Sequence, residues 1–311
     1  MTSRPEGRFD GVLVVDKPSG PTSHDVVDRT RAALGTRRAG HTGTLDPFAT
    51  GVLPVCVGKA TRLARFLASG QKVYRASVRL GFATTTDDLT GTPIGEAQPA
   101  PTDRDRLRSA CEALVGEIEQ RPPAYSAKRI GGTRLYDLAR AGRPAEAPAV
   151  RVRVFSLELV SVEGDTLEIE VACSPGTYVR ALARDLGAAL GCGGHLASLR
   201  RTRSGDFDLS HAVAWDALLS EAADRLLPMA RLLTNVPAVT VGPEGAAAVR
   251  HGRDLTRALV ASGFPEAAPL LTRILNKDGE LLGLAVPRGF GFAGAILPVE
   301  PALHPEVVLV D

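Results

Sequence analysis

Runs of apolar and alternating residues identify the strands in the first two-thirds of the chain. Residues 11–16, GVLVVD, form a short continuous apolar run, which predicts a buried strand. Residues 72–81, KVYRASVRLG, alternate strictly, with Tyr74 on the apolar face and arginines on the opposite face. Two further alternating runs, at 150–160 and 166–172, are joined by a Gly-Asp turn. We therefore expect a sheet in which at least one strand has a wet, basic face.

Helical periodicity appears between these strands. A Thr-Ser cap predicts a helix over residues 22–34, and Asp103 opens another. A Pro-Gly turn leads into a third predicted helix at 178–190, and residues 211–233 read as a further helical stretch. Residues 84–102 are polar and rich in Gly and Pro, which predicts a loop that carries an Asp-Asp pair.

A change of pattern at Asn235-Val236-Pro237 predicts a boundary between two domains, residues 1–236 and 237–311. A length of 311 residues is typical of about two domains. Beyond the boundary, short apolar runs separated by Gly and Pro turns predict a small β-rich module. These runs lie at residues 270–275, 281–286, 295–299 and 306–310.

The charged residues are segregated along the chain, although the net charge is only +2. Residues 29–79 hold ten Lys and Arg and one acid, Asp46. Residues 121–143 hold six basic residues and one acid, and residues 178–205 hold five and one. Three basic segments of this kind predict a surface that binds a polyanion such as RNA. The alternative is a solvated surface in an arginine-rich protein, since 32 of the 37 basic residues are Arg.

The remaining composition indicates no metal, cofactor or membrane. The four cysteines form no C-x-x-C motif and have no metal-ligand spacing with the six histidines. A reduced, cytoplasmic protein is the simplest interpretation. The apolar run at residues 12–15 is too short for a signal peptide, and no stretch approaches the length of a membrane span.

Asp46 is the single carboxylate in the basic segment 37–59, RRAGHTGTLDPFATGVLPVCVGK. Pro47 biases Asp46 towards an extended conformation, which holds its side chain on a loop. One interpretation makes Asp46 the N-cap of a helix that begins at Pro47. The other makes it a reactive group that a phosphate-binding surface alone does not provide.

Two more residues have both a structural and a functional interpretation. Tyr74 is either a core aromatic or a ring on which a base stacks. Arg180 lies off the apolar stripe at the start of its predicted helix, where the helix dipole disfavours a cation. It is therefore either an ordinary surface arginine or a cation with a specific anionic partner.

Taken together, the motifs resemble the bacterial tRNA pseudouridine-55 synthases, the TruB family. The resemblance covers about residues 11–205 and follows six blocks in order. These blocks are GVLVVDKPSGPTSHDVV, GHTGTLDPFATGVLPVCVGKATR, KVYRASVRLG, PPAYSAKRIGG with TRLYDLARAG, CSPGTYVRALARDLG and GGHLASLRR. The resemblance implies an α+β fold: a mixed, largely antiparallel sheet with flanking helices, a thumb arm inserted near residues 122–145, and a PUA-like RNA-binding module at the C-terminus.

The resemblance also implies roles for individual residues. Asp46 matches the nucleophile that lets uracil leave ribose and rejoin it through C5. Tyr74 matches the aromatic that packs on the flipped base, and Arg180 matches the cation paired with the nucleophile. His41 matches the residue that fills the vacated place in the RNA stack. The matches to pocket and substrate-contact positions are Lys17, Tyr178 and Leu199.

The implied substrate is the T-arm stem-loop of tRNA, with no cofactor and no obligate protein partner. One rival is a non-catalytic tRNA-binding or tRNA-folding chaperone, which needs the basic surface but not Asp46. A second is the guide-RNA-dependent relative found in ribonucleoprotein complexes. Three chemical routes stay open: attack of Asp46 on uracil C6, attack on ribose C1′, or elimination to a glycal-like intermediate.

Overall fold

The computed structural model describes residues 9–126, 128–130, 133–134, 147–289 and 300–310. The predicted strand at 295–299 lies outside these residues, as does most of the predicted thumb arm at 122–145.

A large mixed sheet forms the centre of the molecule, with the strand order β14-β1-β3-β12-β4-β11-β10-β7. β2, β13 and β15 pair with β3, β12 and β1, and two short hairpins, β5-β6 and β8-β9, stand apart. All pairings in the large sheet are antiparallel except β1 with β14 and β3 with β12. The predicted mixed, largely antiparallel sheet is therefore confirmed. In chain order the strands are β1 (Gly11–Lys17), β2 (Ala39–His41), β3 (Thr50–Val57), β4 (Lys72–Leu80), β5 (Ala83–Thr84), β6 (Pro93–Ile94), β7 (Gly116–Gln120), β8 (Arg129–Ile130), β9 (Thr133–Arg134), β10 (Val150–Glu163), β11 (Thr166–Cys173), β12 (Gly194–Ser204), β13 (Phe207–Asp208), β14 (Val213–Ala214) and β15 (Leu227–Pro228).

The helices have the ends that their capping residues predict. The Thr22 side chain accepts from the Asp25 amide while the Asp25 carboxylate accepts from the Thr22 amide, which is a complete capping box. The Asp103 carboxylate caps its helix by accepting from the backbone amides of Asp105 and Arg106. The α-helices are α1 (Ser23–Leu34), α2 (Ala64–Ala68), α3 (Arg104–Glu112), α4 (Val179–Leu190), α5 (Leu218–Glu221) and α6 (Pro243–Arg250).

The helix predicted over residues 211–233 is wrong. The only α-helix in residues 211–233, all of which the structure describes, is the four-residue α5, between the short strands β14 and β15. Met229–Arg231 add a single 3₁₀ turn. Both strands pair with β1, so the open edge of the sheet takes the backbone hydrogen bonds that a helix needs. Pro228 adds a residue without an amide donor.

The second sheet, with the strand order β17-β21-β20-β19-β16-β18, forms the C-terminal module, which comprises the described residues from 238 onwards. Its strands are β16 (Ala238–Val241), β17 (Leu255–Thr256), β18 (Val260–Ser262), β19 (Thr272–Leu275), β20 (Leu281–Arg288) and β21 (Ala302–Val308). The first of them begins one residue beyond the predicted boundary. The division into two domains and the PUA-like assignment stay predictions.

Strand β1 separates two hydrophobic cores. Leu13 and Val15 face the core that packs under α1, α3 and α4, whereas Val12 and Val14 face a second core on the other side of the sheet. A strand buried on both faces has a continuous apolar run rather than an alternating one. The second core also contains Leu284 and other residues of the C-terminal module, so the module covers this face of the large sheet.

Candidate active site

Asp46 lies on the loop that connects β2 to β3. The backbone closes a turn there, with the Ala49 amide donating to the Asp46 carbonyl at 3.1 Å, and then enters β3. No helix begins at Pro47, so the interpretation of Asp46 as a helix N-cap is wrong. Because the turn uses only the backbone of Asp46, its carboxylate is available for another partner.

Two buried polar side chains hold this loop from below. The Lys17 ammonium, fully buried, donates to the carbonyls of Pro47 at 3.0 Å and Ala49 at 2.6 Å. Burial lowers the pKa of Lys17 to about 8. The Ser23 hydroxyl both accepts from the Leu45 amide at 2.8 Å and donates to its carbonyl at 3.0 Å. The predicted substrate contact of Lys17 stays a prediction, and its ammonium is already occupied by the loop.

Arg201 clamps the same loop from the side. Its guanidinium donates to the carbonyls of Val52 at 2.7 Å, Gly43 at 3.1 Å and Thr44 at 3.4 Å. The sequence placed Arg201 in a basic surface patch, but only 1% of the residue is exposed. Because β12 alternates its side chains, Arg201 points inward while Arg200 points outward.

Arg180 forms a bidentate ion pair with Asp46. Its Nε atom lies 2.9 Å from Oδ2 of Asp46, and its Nη2 atom lies 3.2 Å from Oδ1. The Arg180 side chain is 5% exposed and the Asp46 side chain 33%. An arginine at the second residue of α4 faces an unfavourable helix dipole, and this carboxylate offsets that cost. The anionic partner predicted for Arg180 is therefore present.

A second carboxylate, Asp88, completes the ion-pair network, and the sequence did not identify it as a site residue. Its Oδ2 atom lies 3.3 Å from Nη1 of Arg180, while its Oδ1 atom accepts from the hydroxyls of Thr86 and Thr90, each at 2.6 Å. Arg180 also donates to the carbonyl of Tyr125 at 2.8 Å, at the base of the predicted thumb. The available signal was the Asp-Asp pair between threonines in a loop otherwise poor in charge.

The surroundings of Asp46 shift the pKa of its carboxyl group in both directions. Burial raises the pKa of its carboxyl group, and the nearby charge of Asp88 raises it further. Arg180, and to a lesser extent Lys17, lower it. The carboxylate is therefore partly desolvated and held in place by a cation, an arrangement that suits a nucleophile.

Tyr74 lies in the middle of β4 and belongs to the main hydrophobic core, with 8% of the residue exposed. Burial raises the pKa of its hydroxyl, while the positive charge of the neighbouring Arg201 lowers that pKa. Asp46 is close enough to raise the pKa of Tyr74 slightly. The core interpretation of Tyr74 agrees with its burial, and its stacking role stays a prediction.

The other predicted residues lie on elements that border the same loop. His41 ends β2, and burial and the charge of Arg201 lower its pKa. Tyr178 is half-buried at the start of α4, where its amide donates to the Gln120 side chain at 2.7 Å. Leu199 is buried on β12 and accepts through its carbonyl from Thr50, at the start of β3. Their contacts with substrate stay predictions.

Many arginines of the three basic segments already have acidic partners within the protein. Arg75 pairs with Glu170 and Arg79 with Asp165, each at 3.2 Å, on the exposed face of β4. The basic face predicted for this strand is present, but neighbouring strands partly neutralise it. The predicted RNA surface therefore has less unpaired charge than the sequence indicated.

Within the part of the chain that the structure describes, no group of His, Cys, Asp and Glu side chains has the arrangement of a metal site. The four cysteines are buried and unpaired. None of the helices over these residues is long and apolar enough to cross a membrane.

Two family models match adjacent parts of the chain. Residues 31–179 match the N-terminal domain of the TruB family of pseudouridylate synthases, and residues 180–234 match the C-terminal domain of tRNA pseudouridylate synthase B. The tRNA pseudouridine synthase B of Solibacter usitatus is 42% identical over 307 residues, 97% of this chain and 100% of the relative. The protein of the same name from Symbiobacterium thermophilum is 49% identical over 78% of this chain and 82% of the relative.

Solved structures match over the whole length. A chain from a Cbf5-Nop10-Gar1 complex superposes with a TM-score of 0.72 and 28% identity, covering 99% of this chain and 91% of that chain. A chain from an H/ACA ribonucleoprotein bound to a substrate RNA containing 2′-deoxyuridine gives a TM-score of 0.71 and 27% identity, with coverages of 100% and 92%. The family models, the close relatives and the shared fold agree: the chain belongs to the TruB family of pseudouridylate synthases.

Proposed function

We propose that this protein isomerises the T-loop uridine at position 55 of tRNA to pseudouridine, with Asp46 as the nucleophile. One observation carries the proposal: a desolvated carboxylate is held by two hydrogen bonds from the buried Arg180, on a loop that Lys17 and Arg201 clamp. Such preorganisation keeps the nucleophile in one orientation at the moment of reaction.

The reaction conserves every heavy atom of the nucleotide. The N1–C1′ bond breaks, uracil turns within the pocket, and a C5–C1′ bond forms. The C5 proton leaves to solvent and N1 gains a proton, so no oxidant, reductant or co-reactant is needed. Asp46 acts by attack on uracil C6, by attack on ribose C1′, or by assisting elimination to a glycal-like intermediate. All three routes need an ionised carboxylate at the same position.

The neighbouring residues take the supporting roles. Arg180 holds Asp46 ionised and in place, and Tyr74 supports the flipped base and accepts or relays the C5 proton. His41 enters the RNA stack where the base was, a place that an extruded nucleotide leaves empty. Lys17, Tyr178 and Leu199 shape the pocket around the loop.

Similarity favours a tRNA substrate over the two rivals. Relatives named tRNA pseudouridine synthase B are 42% to 49% identical to this chain, whereas the chain from the H/ACA ribonucleoprotein is 27% identical. A chaperone has no need of a carboxylate held by two hydrogen bonds from a buried arginine. We further propose that residues 237–311 form a PUA-like RNA-binding domain beside the catalytic domain at 1–236. The four buried, unpaired cysteines of the protein favour a reducing compartment, and we propose the cytoplasm.

Release of tritium from tRNA labelled at uridine C5 tests this function directly, because only rearrangement frees that hydrogen. We expect the wild-type protein to release one tritium per tRNA and to act on an isolated T-arm stem-loop. Asp46→Asn should release none while its Kd for tRNA stays within about twofold, because the phosphate backbone provides most of the affinity. Asp105→Asn removes an exposed, ion-paired carboxylate of α3 and should behave as wild type. Turnover by Asp46→Asn at the wild-type rate would exclude Asp46 as the nucleophile.

A further inference from the structure

A second arginine of α4, Arg184, lies one helical turn beyond Arg180 and makes a parallel set of contacts. Its Nη1 atom lies 2.9 Å from Oδ2 of Asp87, and its Nη2 atom donates to the Arg121 carbonyl at 3.2 Å. The Asp87 side chain is 13% exposed and the Arg184 side chain 29%. Two consecutive acids thus pair with two arginines of one helix face: Asp88 with Arg180, and Asp87 with Arg184.

The backbone of Asp87 adopts a conformation that is uncommon for residues other than glycine. Its φ of +60° lies in the left-handed region, and among the described residues only one other non-glycine residue, Leu233, has a positive φ. This conformation costs free energy and persists where the surroundings fix it. The Asp87 amide donates to the Thr84 carbonyl at 3.2 Å, and its carbonyl accepts from the Leu196 amide at 3.0 Å. Arg184 adds an ion pair to the side chain of Asp87 itself.

The left-handed turn decides where the next carboxylate points. Asp88 follows Asp87 directly, and its Oδ2 atom reaches Arg180, which in turn holds both oxygens of Asp46. A relaxed backbone at Asp87 would rotate the peptide that carries Asp88. A displacement of about 1 Å in such a network is enough to lower a rate by about a hundredfold.

We infer that Arg184 and Asp87 are a positioning pair for the catalytic carboxylate: their ion pair fixes the turn that sets Asp88 against Arg180, and Arg180 orients Asp46. The inference rests on the proposed function, since it assigns these residues to the reaction at Asp46. Neither residue contacts Asp46, so both act through Arg180. The contact of Arg184 with the Arg121 carbonyl also ties this network to the base of the predicted thumb.

Single-turnover tritium release by the full-length protein tests the pair. Asp87→Gly removes the carboxylate but suits the left-handed backbone, and Arg184→Gln removes the cation. We expect each variant to lower the single-turnover rate by about tenfold to a hundredfold, with the Kd for tRNA unchanged within about twofold. The double variant should lose no more than the slower single variant, because both changes remove the ion pair between Asp87 and Arg184. The other partners of Arg184, the Arg121 carbonyl and the Asp185 carboxylate, are already lost in Arg184→Gln. Asp87→Gly should keep its Tm within about 3 °C of the wild type, since glycine relieves the strained φ.

Arg108→Gln is the matched control, since Arg108 forms an exposed ion pair on α3 and should keep the wild-type rate. Wild-type rates for Asp87→Gly and Arg184→Gln would overturn the positioning inference, and so would losses that multiply in the double variant. Absence of tritium release from the wild-type protein would instead overturn the proposed function. The two failures are therefore distinguishable in one series of measurements.

Discussion

Burial, the cation Arg180 and the anion Asp88 have the largest effects on the pKa of the Asp46 carboxyl group. Arg180 lowers the pKa of this carboxyl group, whereas burial and Asp88 raise it. Because the proposed nucleophile must be ionised to act, we expect the rate to fall on the acidic side at a pH above the ordinary aspartate pKa of about 4.

We expect Asp88→Asn to move this acidic limb to lower pH, because an anion that disfavours ionisation of Asp46 is lost. The maximal rate should fall as well, since Arg180 loses a partner at 3.3 Å. Arg180→Gln should raise the pKa of Asp46 instead. The measurements are the single-turnover rate of Asp88→Asn between pH 4 and pH 8 and a carboxyl ¹³C NMR titration of both variants. Shifts of the same sign in the two variants would contradict the assigned network.

Among single residues, the sequence identifies those whose charge is unusual for their local surroundings. It misses charged residues that are buried by contacts with distant parts of the chain. Asp46 is predictable as a lone acid among cations, and Arg180 as a cation at the wrong end of a helix. Asp88 and Arg201 look like ordinary surface charges, because their partners are distant along the chain: 92 residues separate Asp88 from Arg180. Only the folded sheet reveals these contacts.

At the scale of elements, the parallel pairing of β3 with β12 brings Arg201 to the loop of Asp46. Gly51 pairs with Arg201 at this point and has a φ of +100°. A Cβ atom at Gly51 would lie 2.2 Å from the Arg201 carbonyl oxygen, so the strands approach too closely for any side chain. Arg201 can therefore hold the loop of Asp46 only if residue 51 is a glycine.

We expect Gly51→Ala to lower the free energy of unfolding by more than about 3 kcal/mol, because strain at positive φ adds to a backbone clash. Gly164→Ala is the matched control: Gly164 also has a positive φ, +60°, but nothing lies within 4 Å of its added Cβ atom. Its cost should be about 1–2 kcal/mol, from strain alone. Urea denaturation measures both values, and equal costs would contradict the role of the close approach.

The prediction of helices and strands succeeded where neighbouring residues alone determine the element. It failed where pairing with the edge of a sheet competes with helix formation. The Thr22 capping box and the alternation over 72–81 determine their elements locally, and both are confirmed. The region 211–233 has helical composition, yet β1 takes two pieces of it as edge strands. Pairing with a distant strand overrides a propensity that amounts to a few tenths of a kcal/mol per residue.

At the scale of the whole molecule, the C-terminal module and the large sheet share a hydrophobic core. Leu284 and Val307 of the module pack in the same buried cluster as Val12, Val14 and Val52 of the sheet. Arg62 extends the contact by donating to the Val308 carbonyl at 2.6 Å, and Arg65 pairs with Glu306. The two parts therefore cannot separate without exposing this core to water.

Leu284→Ala in the full-length protein tests this coupling. The residue is fully buried, so its truncation should cost about 2–5 kcal/mol. The single tryptophan, Trp215, lies in the other part of the molecule, under the Arg29 guanidinium. Its fluorescence should report the lower denaturation midpoint together with the circular dichroism signal. A fluorescence midpoint that stays at the wild-type value would show that the two parts unfold independently. Leu219→Ala, at an exposed leucine, is the control and should leave both midpoints unchanged.

The apolar run of β1 limits which sequence changes the two parts of this protein can accept during evolution. Val12 and Val14 contribute to the core that the large sheet shares with the C-terminal module. Leu13 and Val15, which alternate with them, contribute to the other core, which includes Leu45 and Ala49 on either side of Asp46. Exchange of the C-terminal module for one with a different inner surface must therefore bring compensating changes to alternate positions of β1, while the positions between them stay matched to the other core. Recombination near residue 237 would join two parts whose surfaces do not match in the shared core. The two parts are therefore constrained to diverge together.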